Sequence, residues 1–314
     1  MSNPARPSLR NLFILAAARI ALWILARLPL ETARGVGRWA ARRLWALDTR
    51  TRRVAERNIA LAYPSLSGEQ QAALVRATME ETGALAAEMG HVWRLPWAVS
   101  QRLIKDVEGA SAVQQALASG RGVIILAPHL GNWEVLGLHL ATLGDTVALF
   151  EPPKIAELGS LIQESRERSG GRLVPTTRRG IAALVKSVKA GGISGILPDQ
   201  VPETEVGAHN VPFMGVPCAT AALGVNLIQR SNAVAFMGAA FRIPGGFNVC
   251  YVPAPEAIYS QDPEQALSAM NTAVENLLRG WDAQYQWLYK RFRCRPQGDV
   301  DHYRDLTAPR SPEG

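Results

Sequence analysis

The run from Gly122 to Leu140, G-V-I-I-L-A-P-H-L-G-N-W-E-V-L-G-L-H-L, leaves few options for the chain that contains it. The apolar residues Val123 to Ala127 predict a buried strand, which Pro128 stops just before His129. Gly131 and Asn132 then turn the chain. The apolar spacing from Trp133 to Leu140 predicts a helix with Glu134 in its opening turns. His129 and Glu134 therefore share one strand-to-helix corner. Open α/β sheets carry ligand chemistry at the carboxyl ends of their strands, where a helix N-terminus adds positive potential. An imidazole can take a proton from a hydroxyl, and a carboxylate can fix its tautomer and stabilise the imidazolium. The pair thus has the parts of a base and its orienter. A polar H-L-G-N-W-E cluster directly after a fully apolar strand is costly to bury without a purpose.

The rest of the chain alternates in the same way. Helices are expected at Thr51 to Tyr63, from the capping box Ser67 to Gln70 through about His91, and briefly from Pro96 to Ile104. Then come a helix near 109–119, the strand 122–127, the corner helix 132–143 and a strand at 146–150. A helix near 155–169, a short strand Arg172 to Val174, a helix 178–190 and the strand Ile193 to Leu197 follow. Pro198 to Pro217 reads as a long polar, Pro-rich loop, a length usually reserved for function. A helix near 217–230, strands at 233–242 and 246–252, and a helix at 264–281 complete the pattern. The fold class is α/β, a mixed, mainly parallel sheet covered by helices. The expected organisation is a basic helical membrane-associating segment at 1–57, one catalytic domain at 58–297 and a tail at 298–314.

Charge is distributed unevenly. Residues 1–57 contain twelve arginines, no lysine, and only Glu31, Asp48 and Glu56 as acids, a balance of +9 against +7 for the whole chain. This positive excess adjoins the apolar segment Leu12 to Leu30, which is interrupted by Arg19, Arg27 and Pro29. Arg19 near a bilayer centre would cost about 2.5–3.5 kcal/mol, so an interfacial helix with snorkelling arginines is favoured over a spanning one. Ala33 to Asn58 reads as a basic and aromatic helix, in which Arg34, Arg38 and Arg42, spaced four apart beside Trp39 and Trp45, suit anionic headgroups. The lipophilic run and the lack of any nucleic-acid-binding motif argue against a nucleic-acid partner. Cys218, Cys250 and Cys294 are widely spaced, which indicates neither a disulfide framework nor a zinc site and fits a reducing cytoplasmic face. No spacing of His, Cys, Asp and Glu suggests a metal, no Gly-rich phosphate loop is present, and G-x-S-x-G is absent.

The H-x4-D/E corner resembles the signature of the glycerolipid-type acyltransferases, and A-P-H-L-G-N-W-E resembles their bacterial late lipid A branch, the lauroyl and myristoyl acyltransferases. Further matches follow in order: R-N-I-A-L-A-Y-P at 57–64, S-R-E-R-S-G-G-R-L-V-P at 165–175, G-I-L-P-D-Q at 195–200, V-P-F-M-G at 211–215 and Q-Y-Q-W-L-Y-K-R-F-R-C-R-P at 285–296. The resemblance implies direct transfer of a fatty acyl chain from acyl-acyl carrier protein to a hydroxyl of a lipid A precursor, without a cofactor, at the cytoplasmic face of the cell inner membrane. It also implies His129 and Glu134 as the catalytic pair, with an arginine of the second motif on an acceptor phosphate. Arg binds phosphate bidentately, and Arg166 and Arg168, two positions apart, cannot share one helix face, so at most one of them serves, the alternative being charges that complement the helix C-terminus. Asp199, at the same carboxyl edge as His129, is a candidate for holding an arginine or loop backbone. Asn132, and Arg293 beside Arg291 and Arg295, complete the substrate-binding candidates. His209 and His139 read as ordinary loop and core histidines. Two alternatives share these features: an acyltransferase for another lipid (glycerophospholipid, ornithine lipid or mannolipid), and a non-catalytic lipid-binding protein of the membrane surface.

Overall fold

The computed structural model describes residues 9–307 apart from 48, 154, 202–206, 294–297 and 299. Four helices open the chain: α1 (Leu9–Leu25), α2 (Leu30–Trp45), α3 (Arg50–Ala62) and α4 (Gly68–Arg94). A short α5 (Trp97–Ser100) leads to β1 (Ile104–Glu108), α6 (Ala110–Ala118), β2 (Val123–Leu126) and α7 (Trp133–Leu140). There follow β3 (Val147–Phe150), α8 (Ala156–Glu167), β4 (Arg172–Pro175), α9 (Arg178–Lys189) and β5 (Ile193–Ile196). The chain closes with β6 (Ala208–Phe213), β7 (Val216–Ala221), α10 (Leu223–Ser231), β8 (Val234–Ile243), β9 (Gly246–Pro253) and α11 (Pro263–Leu278).

The main sheet has the order β1-β9-β8-β2-β5, and all its pairs are parallel except β8 with β9. β3 and β4 pair parallel and join it through a parallel bridge from Thr146 to Ile193. β2 lies between β8 and β5 and is buried along its whole length, which its unbroken apolar run requires of a central parallel strand. One face of the sheet carries Ile124, Leu126 and Met237 under α9, α10 and α11; the other carries Val123, Ile125 and Phe236 under α7 and the neighbourhood of α6. Both faces are therefore covered, and the carboxyl ends of β2 and β5 open at one edge.

Three expectations are corrected. The stretch Ala33 to Asn58 is not one helix but breaks between α2 and α3, where Thr49 caps α3 by accepting from the Arg52 N–H. The polar loop before 217 is in large part a hairpin: β6 and β7 pair antiparallel with Pro212 opposite Pro217, around a turn at Met214 and Gly215. Ile104 ends no helix but begins the short edge strand β1, which pairs with β9.

No helix among the described residues is long and apolar enough to cross a membrane. α1 has 17 residues and leaves Phe13, Ile20, Trp23 and Ile24 exposed. α2 crosses α4 at backbone contact: a Cβ on Gly37 would lie 2.1 Å from the Gly83 carbonyl oxygen, so only glycine fits. This contact turns Arg34, Arg38 and Arg42 toward α4. Arg34 pairs with Glu88, Arg38 with Glu81 and Arg42 with Glu80. The reading of these three as a headgroup-facing stripe is thereby corrected for Arg34, which is buried, and Arg38, which is partly covered; Arg42 stays exposed beside Val36, Trp39 and Leu44, with Arg43 over the Trp39 ring.

Candidate active site

The corner after β2 is set by backbone constraints. Gly131 has φ +62°, and a Cβ there would lie 2.1 Å from the Ala240 carbonyl oxygen of β8. This combination of a left-handed conformation and close approach requires glycine. The Asn132 N–H donates to that same Ala240 oxygen at 2.7 Å, the Gly131 N–H to Gln284 O at 3.1 Å, and the Gln286 N–H to His129 O at 3.0 Å. The turn is thus clamped between β8 and the segment after α11.

His129 is buried at the start of this turn, and its partner is Asp199. Asp199 Oδ2 accepts the His129 backbone N–H and Oδ1 accepts from ring Nδ1, both at 2.8 Å. A carboxylate only accepts, so the ring proton sits on Nδ1 and Nε2 keeps its lone pair. That lone pair meets the side-chain amide of Gln200 at 3.2 Å. Trp133 packs edge-on against the imidazole, with centroids 4.8 Å apart. Burial alone pushes the Asp199 carboxyl up, but its electrostatic attraction to His129, the two hydrogen bonds from that residue and the charge on Arg291 outweigh it and hold Asp199 below the ordinary carboxylate range. Next to it, burial and the Asp199 charge hold the Tyr285 hydroxyl far above its usual value.

The expected pairing of His129 with Glu134 is corrected by this geometry. Glu134 is buried in the first turn of α7, and its carboxylate is taken by Arg166 of α8: Nη2 donates to Oε1 at 2.6 Å, and Nε to Oε2 at 2.9 Å and Oε1 at 3.2 Å. Burial lowers the Arg166 pKa, but Glu134 more than offsets it, so the guanidinium is held above its usual value. Of the two arginines, Arg166 reaches the corner. Arg168 donates instead to Leu95 O at 2.6 Å, at the end of α4. Asn132 is wholly buried and both ends of its amide are committed, Oδ1 to the Val135 N–H at 3.1 Å and Nδ2 to Glu88 at 2.9 Å, so it caps α7 and offers a substrate no free amide.

Beside the corner lies a narrow apolar cleft of about 100 Å³. Trp133, Glu134 and Arg166 stand at the corner end, Leu136, Leu140 and Leu149 form its walls, and Thr146 and Gly171 lie just before β3 and β4. Its apolar, elongated lining rather than its volume suits a lipid chain. Arg293 does not line the cleft; its Nη2 donates to Val201 O at 2.9 Å and so fastens the segment after Gln200. Arg291 is buried and donates to Ala219 O and Thr220, so it is not a surface charge. His209 lies on β6 opposite Thr220, and His139 faces the Tyr251 hydroxyl at 2.7 Å. Cys294 and Arg295 fall outside the described residues. No group of three potential metal ligands occurs among the described residues.

Residues 6–294 match the family model described as bacterial lipid A biosynthesis acyltransferase. The chain belongs to that family. It is accordingly an acyltransferase of lipid A biosynthesis. Among curated relatives it is 24% identical to the lipid A biosynthesis palmitoleoyltransferase of Escherichia coli K12 over 90% of this chain and 92% of the relative. It is 22% identical to the lauroyltransferase of the same organism over 90% and 92%, and 26% identical to its myristoyltransferase over 90% and 83%.

Proposed function

We propose that the enzyme moves a fatty acyl chain from an acyl-acyl carrier protein thioester to a hydroxyl on an acyl chain of a lipid A precursor, with His129 as general base. The observation that carries this reading is the His129–Asp199 pair on the corner whose next residues, Trp133 and Glu134, line an apolar cleft. The Nε2 lone pair faces the exposed Gln200, whose amide gives way to the acceptor hydroxyl. Nε2 takes the hydroxyl proton, the oxygen attacks the thioester carbonyl, and the tetrahedral intermediate collapses to the ester. The departing thiolate recovers the proton from the imidazolium. The Trp133 and Glu134 N–H groups, which precede the capped Val135 N–H at the start of α7, are offered to the oxyanion. The donor chain lies in the cleft between α7 and β3. Arg166 spends its Nε and Nη2 on Glu134 and keeps Nη1 for an acceptor phosphate. The three relatives carry three different acyl names at similar identity, so chain length is left to the cleft itself.

Membrane attachment belongs to the same proposal. α1 presents Phe13, Ile20, Trp23 and Ile24, and α2 presents Trp39 and Leu44, while Arg27 and Arg43 stack over Trp23 and Trp39. Aromatic side chains topped by arginines suit the interface of the inner membrane on its cytoplasmic side. Mass spectrometry of lipid A from cells lacking the protein tests the reaction. Loss of one acyl chain, restored by the wild-type gene but not by His129→Ala, is expected; unchanged lipid A alongside an altered phospholipid or ornithine lipid would reject the acceptor.

A further inference from the structure

Glu88 lies in α4, away from the cleft, and no part of its carboxylate is exposed. Two arginines and one amide converge on it. Arg34 of α2 donates from Nε to Oε1 at 2.6 Å; Arg242 of β8 donates from Nε to Oε1 at 2.5 Å and from Nη2 to Oε2 at 2.9 Å; Asn132 donates from Nδ2 to Oε2 at 2.9 Å. Each arginine is held a second time. Arg34 also donates to Ile243 O, Gly246 O and Glu31, and Arg242 donates to Glu81 while its backbone N–H and C=O bond the Gln284 side chain. Gln284 O in turn accepts the Gly131 N–H. A carboxylate so enclosed is expensive to desolvate and is retained only where its partners are all satisfied. A hydrophobic cluster would join α2, α4 and β8 equally well; what it could not do is hold the Asn132 amide in one orientation.

We infer that Glu88 is a positioning residue for acyl transfer: it fixes Asn132, and Asn132 fixes the first turn of α7, which carries Trp133 against the His129 ring and Glu134 against Arg166. This rests on the proposed role of His129. Asn132 uses Oδ1 to cap the Val135 N–H only because Nδ2 has an acceptor in Glu88; without one, the amide is free to turn and the start of the helix is no longer fixed. Displacements of about 1 Å at a catalytic corner cost up to about 100-fold in rate. Arg34 extends the same relay to α2, the helix with the exposed Trp39, so the seating of that helix and the geometry of the corner share one carboxylate.

The test is an exchange of polarity in the full-length enzyme: Glu88→Gln, Asn132→Asp, and the two together. Each single change breaks the contact, the first because the one oxygen of an amide at position 88 goes to the two arginine Nε donors and leaves its NH2 against the Asn132 NH2, the second by setting carboxylate against carboxylate. In the double variant the amide now carried at position 88 donates to the carboxylate now carried at position 132, which still caps Val135 and returns a negative charge to the arginines. Single-turnover transfer is measured at saturating donor and acceptor, with KM for each and the folded fraction from circular dichroism. We expect each single variant to lose roughly 10- to 100-fold in kcat per folded molecule with little change in either KM, and the double variant to recover most of it. Wild-type kcat in folded Glu88→Gln, or a double variant that regains its melting temperature but not its rate, overturns the inference. If a single variant does not fold, the double variant alone decides by its rate. Absence of transfer by the wild-type enzyme would count against the proposed reaction instead.

Discussion

Replacing Asp199 with Asn separates the two candidate orienters of His129. The side chains are nearly the same size and the site is buried, so packing is preserved. Asp199 now accepts two hydrogen bonds from His129 at 2.8 Å, one from the backbone and one from Nδ1. Asn can accept only one of them. If its oxygen keeps the backbone N–H, its NH2 faces Nδ1, which must become the acceptor, and the ring proton moves to Nε2. The base then has no lone pair where the hydroxyl arrives. A wrong-tautomer change of this kind in a Ser-His-Asp triad lowers kcat by about 10,000-fold, so a loss on the order of 1,000- to 10,000-fold is expected here, about 4–5.5 kcal/mol of barrier. The lost charge-assisted bond also costs roughly 1.5–3 kcal/mol of stability. Transfer from an acyl-carrier thioester, measured in single turnover beside a thermal melt, gives both numbers. A folded Asp199→Asn protein within tenfold of wild type, with Glu134→Gln the more damaged of the two, would restore Glu134 as orienter and refute the reasoning.

Arg166→Ala should raise KM for a phosphorylated acceptor about 10- to 100-fold, through roughly 1.5–3 kcal/mol of lost charge-assisted bonding, and leave the donor KM nearly unchanged; equal effects on both substrates would remove the phosphate role. Changing Phe13, Ile20 and Trp23 of α1 to Ser should release much of the protein from liposomes, and because Arg34 and Arg38 are covered and Arg42 is paired with Glu80, the binding left over should be weak even at low salt. Strong residual binding abolished by salt would contradict that. Burial lowers the pKa of both His91 and His139. A histidine depressed in the folded state binds its proton more readily when unfolded, so stability should be full above the unfolded value near 6.5 and fall as pH drops below it. Denaturant melts between pH 7.5 and 5 read this slope, and His139→Gln should flatten it.

The corner is legible in the sequence because its cause is local: an apolar run, Pro128, Gly131 and the cap Asn132 act within a dozen residues. The partner of His129 is not. Asp199 stands 70 residues away, and only the parallel pairing of β2 with β5 brings its carboxylate to the imidazole, so sequence proximity favours Glu134. The sheet edge that Asp199 occupies can still be read, since both strands end there. The choice between Arg166 and Arg168 narrows to one but needs the direction of α8 to decide it. Arg34, Arg38 and Arg42 read outward because basic residues beside tryptophans suit lipid; the glycine contact that turns Arg34 and Arg38 inward involves Gly83, on another helix. Glu88 has a faint signal: it lies four residues from both Ala84 and Val92, on the apolar stripe of α4, where a carboxylate calls for a partner. The hairpin at 208–221 escapes the sequence because its prolines read as loop, although they sit opposite one another at its end.

The most direct measurement of the whole account is single-turnover transfer by His129→Ala. In the proposed mechanism His129 acts through its ring alone, and its backbone bonds to Asp199 and Gln286 survive the change. The variant should therefore stay folded, bind membranes as the wild type does, and lose about 100- to 10,000-fold in rate from an acyl-carrier thioester to the lipid A precursor. Near wild-type transfer by the folded variant would contradict the account.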